Sequence, residues 1–255
     1  LNGIQDNSID LFYKNNLIPI INSLKELKIV ENSNIDFGLH IDTGLNRLGI
    51  NYHEIPNSIY KNKKIKLILS HLASADEKNN NYNKTQKNIF SNIISKFKKK
   101  DIIYSLANSN GSILSKSYLF NMIRPGIGLY GGNNKNSYLK KHLKPVVTLS
   151  SKIIQIKIVN KGEFIGYNQT FKTKNKIKIA ILGSGYADGI PRILSNNGVV
   201  YYKNNKYKII GRISMDSFTI DISNSKHNLK VGMFLDLINE KHGIEHFAKQ
   251  CKTIS

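Results

Sequence analysis

Up to about Gly132 the chain alternates short β-rich runs with longer amphipathic stretches, a rhythm that restricts it to βα units around a parallel sheet. IDFGLHID at 35–42 reads as a strand running into a Thr43-Gly44 turn, and IKLILSHLA at 65–73 is nearly continuously apolar, as a strand covered on both faces must be. DIIYSLANS at 101–109 and NMIRPGIG at 121–128 complete the series. Between them, NYNKTQKNIFSNIISKF at 81–97 sets Ile93, Ile94 and Phe97 on one side at helical spacing. A barrel and a doubly wound sheet both satisfy this pattern.

The rhythm then changes. VVTLSSKIIQIKIV, KIKIAILGSG, GVVYYKNNKYKIIG and SFTIDIS alternate apolar with polar residues, are rich in β-branched side chains and are separated by Gly or Asn turns, which predicts an all-β domain. The polar stretch from Asn133 to Lys144, ahead of Pro145, is the expected boundary. The resulting division is 1–137 and 138–255.

With 38 Lys plus Arg against 17 Asp plus Glu, the formal net charge is +21. Much of the excess sits in KNKKIK at 61–66 and KFKKK at 96–100, where only Phe97 interrupts the second run. Without interleaved aromatics or a recognised binding module, these runs read as solvated surface, with no nucleic-acid partner, although the charge attracts small anions. No apolar stretch reaches the about eighteen residues of a membrane span, and the first residues lack a signal peptide's pattern. The sole cysteine, Cys251, excludes an intrachain disulfide and a Cys-rich metal site, which suits a reducing, cytoplasmic setting. No metal site is expected.

Several strand ends carry chemistry. Tyr186, between glycines in GYADG, serves either as a structural hydroxyl or as a base. Arg124 precedes a Pro-Gly turn whose Gly126 and Ile127 N–H groups can face an anion, and Asn108 with Ser109 can cradle a phosphate or form a plain turn. His71 ends a strand, where a lone histidine is as readily structural as catalytic.

In order, HIDTGLNRLG, SHLASAD, SLANSNG, RPGIGLYG, GYADGIPR and GRISMD closely resemble the motifs of the alanine racemases, from Ile35 to the last residue. The resemblance implies an α/β fold, the C-terminal half of a (β/α)8 TIM barrel, followed by an all-β domain. It also implies pyridoxal 5′-phosphate as cofactor and a head-to-tail homodimer with shared sites. The implied activity interconverts L-alanine and D-alanine through an external aldimine and two bases, supplying D-alanine for peptidoglycan. One base is the family's cofactor lysine and the other carries over to Tyr186. A phenol ionises only near about pH 10 in water, so that hydroxyl needs polarising, a role implied for His71. Arg124 would contact the pyridine nitrogen, where a guanidinium donates but does not hand over a proton. Arg47 would orient the substrate carboxylate, and Met215 would reach it through its backbone N–H, unless Met215 is simply core. Asn108, Ser109, Gly126 and Ile127 would hold the cofactor phosphate, since barrel sites lie on loops after strand ends.

The sequence departs from the family in two ways. The position two residues before the Asp of DTG, often a carbamylated lysine, is His40. Nothing resembling the family's KANAYGHG lysine segment precedes Leu1, and the chain stops at CKTIS, where the family continues into a Tyr-Glu pair that binds phosphate. These 255 residues therefore read as an internal fragment lacking about three barrel strands and the cofactor lysine. A serine or broad-specificity racemase, or a non-catalytic anion- or nucleic-acid-binding relative, are the alternatives. Produced alone, the residues should aggregate through open sheet edges; a monodisperse, cooperatively melting preparation in light scattering and calorimetry would contradict that expectation.

Overall fold

The computed structural model describes residues 2–5, 8–98, 101–132 and 137–254. Residues 99–100 of the second lysine run and 133–136 of the expected boundary lie outside them. The chain separates into two compact units, Leu1–Gly126 and Ile127–Ser255.

The first unit is built on parallel strands. After the short helix α1 (Ile9–Lys14), strand β1 (Ile20–Ile21) leads into α2 (Leu24–Glu31), capped by Ser23, whose hydroxyl accepts the Glu26 N–H. The central strand β2 (Phe37–Asp42) pairs with β1, with β3 (Ile50–Asn51) and with β4 (Ile65–Leu69), and β4 pairs with β5 (Ile103–Ser105). All six residues of β2 are buried. Because side chains alternate across a strand, Phe37, Leu39 and Ile41 share one face and join the apolar core with Leu27, Val30, Phe90 and Ile93. Gly38, His40 and Asp42 share the other, so the alternation that builds the core also aims polar groups away from it.

Helix α3 (Asn81–Ile94) is the long helix predicted at 81–97. Phe90, Ile93 and Phe97 are buried and Ile94 is partly buried against the same core. NMIRPGIG does not form a strand: among the described residues its ladder contact is a single parallel bridge, Ser105 to Met122. Pro125 supplies no N–H, and the Arg124 N–H goes instead to the Ala107 carbonyl, 2.9 Å away.

In the second unit, a short helix α4 (Ser137–His142) precedes β6 (Leu149–Val159), a small hairpin β7 (Phe164–Ile165) and β8 (Phe171–Lys172), then β9 (Ile177–Leu182). The hairpin β10 (Val199–Tyr202) and β11 (Asn205–Ile210) turns through Lys203, at φ +53°, the left-handed geometry that matches strand twist. With β12 (Phe218–Asp221) and β13 (Phe234–Ile238), these strands close an antiparallel barrel in the order β10-β11-β12-β9-β6-β13. Ile153, Leu182, Val200, Ile209, Phe218, Ile220 and Leu235 fill its core. Helix α5 (Ile244–Gln250) follows β13. Closure removes the edges that separate strands would expose. No helix of the described residues is long and apolar enough to cross a membrane.

Phe90 is fully buried and meets Phe120 edge-on, with centroids 5.2 Å apart. Phe90→Ala should cost the first unit about 3–5 kcal/mol, read from its urea transition.

Candidate active site

The polar face of β2 runs into a loop that its own last residue folds. Asp42 Oδ1 accepts N–H bonds from Gly44, Leu45 and Asn46 at 2.8, 2.9 and 3.2 Å. Tyr82 of α3 donates its hydroxyl to the Gly44 carbonyl at 3.0 Å, and a Cβ on Gly44 would fall 2.1 Å from that hydroxyl. Gly44 sits at φ +126°, so glycine is required there for space and for backbone geometry. The loop carries Arg47, which is exposed.

The ends of β4 and β5 meet at Arg124. Its guanidinium donates to the Ser105 hydroxyl and to the Ser70 carbonyl, each at 2.5 Å, and lies 3.4 Å from His71 Nδ1. Ser105 in turn donates to the Met122 carbonyl at 2.8 Å. Every one of these partners is neutral, and burial lowers the Arg124 pKa to about 10. His71 is lowered to about 4, chiefly by burial and then by Arg124 and Arg47. A guanidinium only donates, so His71 Nδ1 is the acceptor and its proton rests on Nε2. His40 is also lowered to about 4, by burial first and then by Arg124 and His71. Its Nδ1 donates to Asn22 Oδ1 at 2.8 Å, while Asn22 Nδ2 donates to the Ile20 carbonyl at 3.3 Å, which fixes the amide's orientation. Both imidazoles are therefore neutral at pH 7.

A residue that sequence reasoning missed holds these ends together. Gln86 of α3 is fully buried. Its Oε1 accepts the Ala73 N–H at 2.8 Å, and its Nε2 donates to the His71 carbonyl at 3.0 Å and to Thr43 Oγ1 at 3.3 Å. Thr43 Oγ1 is 2.8 Å from Ser70 Oγ. The signal was present: Asn83 and Gln86 stand on the same buried face as Phe90 and Ile93, where a helix ordinarily places apolar residues.

The turn that carries Asn108 and Ser109 is held by its own side chains. Asn108 Oδ1 accepts the Gly111 N–H at 2.8 Å, and Ser109 Oγ accepts the Gly126 N–H at 3.0 Å, so that amide is aimed at Ser109. A Cβ on Gly126 would meet nothing within 4 Å, and its φ lies outside the left-handed region. Neither packing nor conformation within the fold demands glycine there. The Asn110 Oδ1 beside them is buried without a partner among the described residues. Ile127 belongs to the second unit, where it opens a short 3-10 turn, Ile127–Tyr130.

In the second unit GYADG and GRISMD form one structure. A Cβ on Gly185 would lie 2.2 Å from the Met215 carbonyl oxygen and 2.3 Å from that of Ser214. The Tyr186 and Ala187 N–H groups donate to those carbonyls at 3.0 Å. Met215 is 55% exposed and so is not core, and its own N–H has no partner among the described residues. Tyr186 is 45% exposed, with the Arg192 guanidinium 5.4 Å from its ring centroid.

A βα unit on parallel strands with a half-buried guanidinium at its strand ends, followed by a β barrel presenting an exposed tyrosine, is a two-unit α/β class of protein. The family model for the alanine racemase N-terminal domain matches residues 1–134 and that for the C-terminal domain residues 146–255. The chain belongs to the alanine racemase family. It is 39% identical over 234 residues to the alanine racemase of Rickettsia bellii, covering 88% of this chain and 57% of that protein. It is 34% identical over 281 residues to that of Brucella abortus, covering 100% of this chain and 70% of that one. Among solved structures, the Bartonella henselae alanine racemase with covalently bound pyridoxal phosphate superimposes with a TM-score of 0.85 at 31% identity, covering 100% of this chain and 73% of that one. The expected α/β barrel-type unit and β-rich second domain are the fold of this family.

The two histidines give the first unit a pH signature. Their folded pKa values, about 4, lie below the ordinary 6.5, so the unfolded chain binds more protons in that interval and stability falls as pH drops from 6.5 towards 4. In His71→Asn that fall in melting temperature should be smaller than in the parent.

Proposed function

We propose that the protein is a pyridoxal-phosphate-dependent alanine racemase, interconverting L-alanine and D-alanine and so supplying D-alanine for peptidoglycan in the cytoplasm. The observation that carries this reading is the half-buried Arg124 guanidinium, held at the strand ends by partners that are all neutral among the described residues, with neutral His71 beside it. A cation drawn partly out of water without a carboxylate partner carries a cost that an electron-rich group lowers, and a cofactor's ring nitrogen offers that. The donor set fits as well: Asn108, Ser109, Gly126 and Ile127 supply hydroxyl, amide and backbone groups, and the open space over Gly126 admits a ligand close to the chain.

When bound, pyridoxal phosphate withdraws electrons from the α-carbon of the amino acid and makes its proton removable. The residues of this chain do the rest. Arg124 would hold the cofactor by a hydrogen bond to its ring nitrogen and, keeping its own proton, would leave that nitrogen unprotonated. Arg47 and the Met215 N–H hold the substrate carboxylate, which fixes the α-proton relative to the base. Tyr186 removes or delivers the α-proton on one face, a second base, the family's cofactor lysine, serving the other, and His71 polarises the phenol. Residues 1–137 are the cofactor-binding part and 138–255 the racemase C-terminal domain. The protein works as a homodimer in which Tyr186 and Met215 complete the site of the partner subunit, with neither nucleic acid nor membrane as partner. The serine or broad-specificity racemase and the non-catalytic relative are not favoured, because the relatives above are alanine racemases.

The test is Tyr186→Phe in the cofactor-loaded protein, following α-proton exchange into deuterated water from each enantiomer separately. Exchange from one enantiomer should fall by about 10²–10⁴-fold while the other retains most of its rate. Equal losses from both would remove the assignment of Tyr186 to one face.

A further inference from the structure

Beyond its last residue β4 makes one more ladder bond, from the Ser70 N–H to the Ser105 carbonyl at 3.0 Å, and then the chain leaves the sheet. The His71 carbonyl and the Ala73 N–H, on either side of the buried Leu72, both go to the side-chain amide of Gln86, at 3.0 and 2.8 Å. An amide offers a donor and an acceptor side by side, as a strand edge does, so Gln86 continues from α3 the pairing that the sheet gives up. Its remaining N–H goes to Thr43 Oγ1 at 3.3 Å, in the loop after β2.

The His71 imidazole depends on that clamp. Among the described residues its ring has one polar partner, the Arg124 guanidinium, at the long distance of 3.4 Å, so the main chain decides where the ring stands. His40 differs: it rides within β2 and is held by Asn22 at 2.8 Å. Thr43, buried, opens the loop that Asp42 folds and that carries Arg47, and it bonds only side chains from outside that loop, Gln86 and Ser70. On the same helix Tyr82 reaches the loop after β2, through Gly44, and Asn83 the loop after β4, through the Ser74 and Glu77 carbonyls at 2.9 and 3.0 Å. Gln86 reaches both. Phe90 and Ile93 show that packing on this face is served by hydrocarbon, and an amide in the same place is costly unless its bonds are made.

We propose that Gln86 is a positioning residue: through the His71 carbonyl it places the imidazole beside Arg124, and through Thr43 it places the loop of Arg47, so one side chain sets the two loops relative to each other. The roles of His71 and Arg47 rest on the racemase reading above; their placement can be measured without it.

The experiment compares Gln86→Met, Thr43→Val and Phe90→Leu with the parent, in the intact, cofactor-loaded protein, by alanine racemisation kinetics and by NMR titration of the imidazoles, with His71→Asn identifying the His71 resonance. Gln86→Met keeps an unbranched side chain and removes all three bonds. It should lower kcat at least about tenfold. The His71 pKa, held at about 4 by burial and then by Arg124 and Arg47, should rise towards 6.5 as the loosened loop admits water, while the His40 titration stays in place. Thr43→Val should instead raise KM for alanine at least about threefold, with kcat within about twofold and the His71 titration of the parent. Phe90→Leu, one turn along the same face, should lower the melting temperature and leave kcat and both titrations unchanged. If Gln86→Met does not fold, Gln86→Glu takes its place with the same expectations, because it keeps an acceptor for Ala73 and forfeits at least one donated bond. Parental kcat and His71 titration in the Gln86 variant, or the same losses in Phe90→Leu, would reduce Gln86 to a contributor to stability and overturn the proposal. A parent that racemises no alanine would remove the racemase reading, and the imidazole titrations alone would then decide the placement.

Discussion

The arrangement of the first unit turns on one half-buried cation. Arg124 reaches across the ends of two neighbouring strands, taking the Ser105 hydroxyl from one and the Ser70 carbonyl from the other. A guanidinium in that position would be expensive if its donors went unmet, and its planar fork meets groups on both strands at once. Its field then acts on everything nearby: together with burial it keeps His71 and His40 uncharged at neutral pH. Gln86 makes the geometry durable, since it ties the loop after β4 to the loop after β2 from a helix on the outer layer.

The second unit secures its exposed residues differently. Tyr186 and Met215 stand on loops, where side chains ordinarily wander, yet these two loops are bonded backbone to backbone and approach so closely at Gly185 that no other residue fits without displacing Met215. A closed barrel beneath them supplies fixed anchor points, with β9 leading into one loop and β11 into the other. Exposure and rigidity coexist because the constraint sits in the main chain, leaving the side chains to face outward.

Much of this was legible in the sequence. Periodicity located β2, β4, β5, α3 and the strands of the second unit, and the ordered motifs carried the family. What stayed hidden was whatever depends on partners distant in sequence. Ser70 and Ser105 are ordinary serines until Arg124 is laid across them. NMIRPGIG looked like a strand because its apolar residues alternate, but Pro125 and the diverted Arg124 N–H reduce it to one bridge. Local sequence left Met215 open between core and site, and its exposure decides against the core. Barrel closure was invisible as well, since it depends on the pairing of β13 with β10 at Tyr201 and Asp236.

The bond from the Gly111 N–H to Asn108 has a consequence for how the protein ages. Asn-Gly is the dipeptide most prone to deamidation, which begins when the glycine nitrogen gives up its proton and attacks the asparagine side-chain carbonyl to close a succinimide ring. At Asn110-Gly111 that proton is committed to Asn108 Oδ1 at 2.8 Å, inside a tight turn whose backbone cannot swing into the attacking geometry. The loop that carries Ser109 is thereby shielded from a slow chemical clock that would otherwise install a new negative charge beside it.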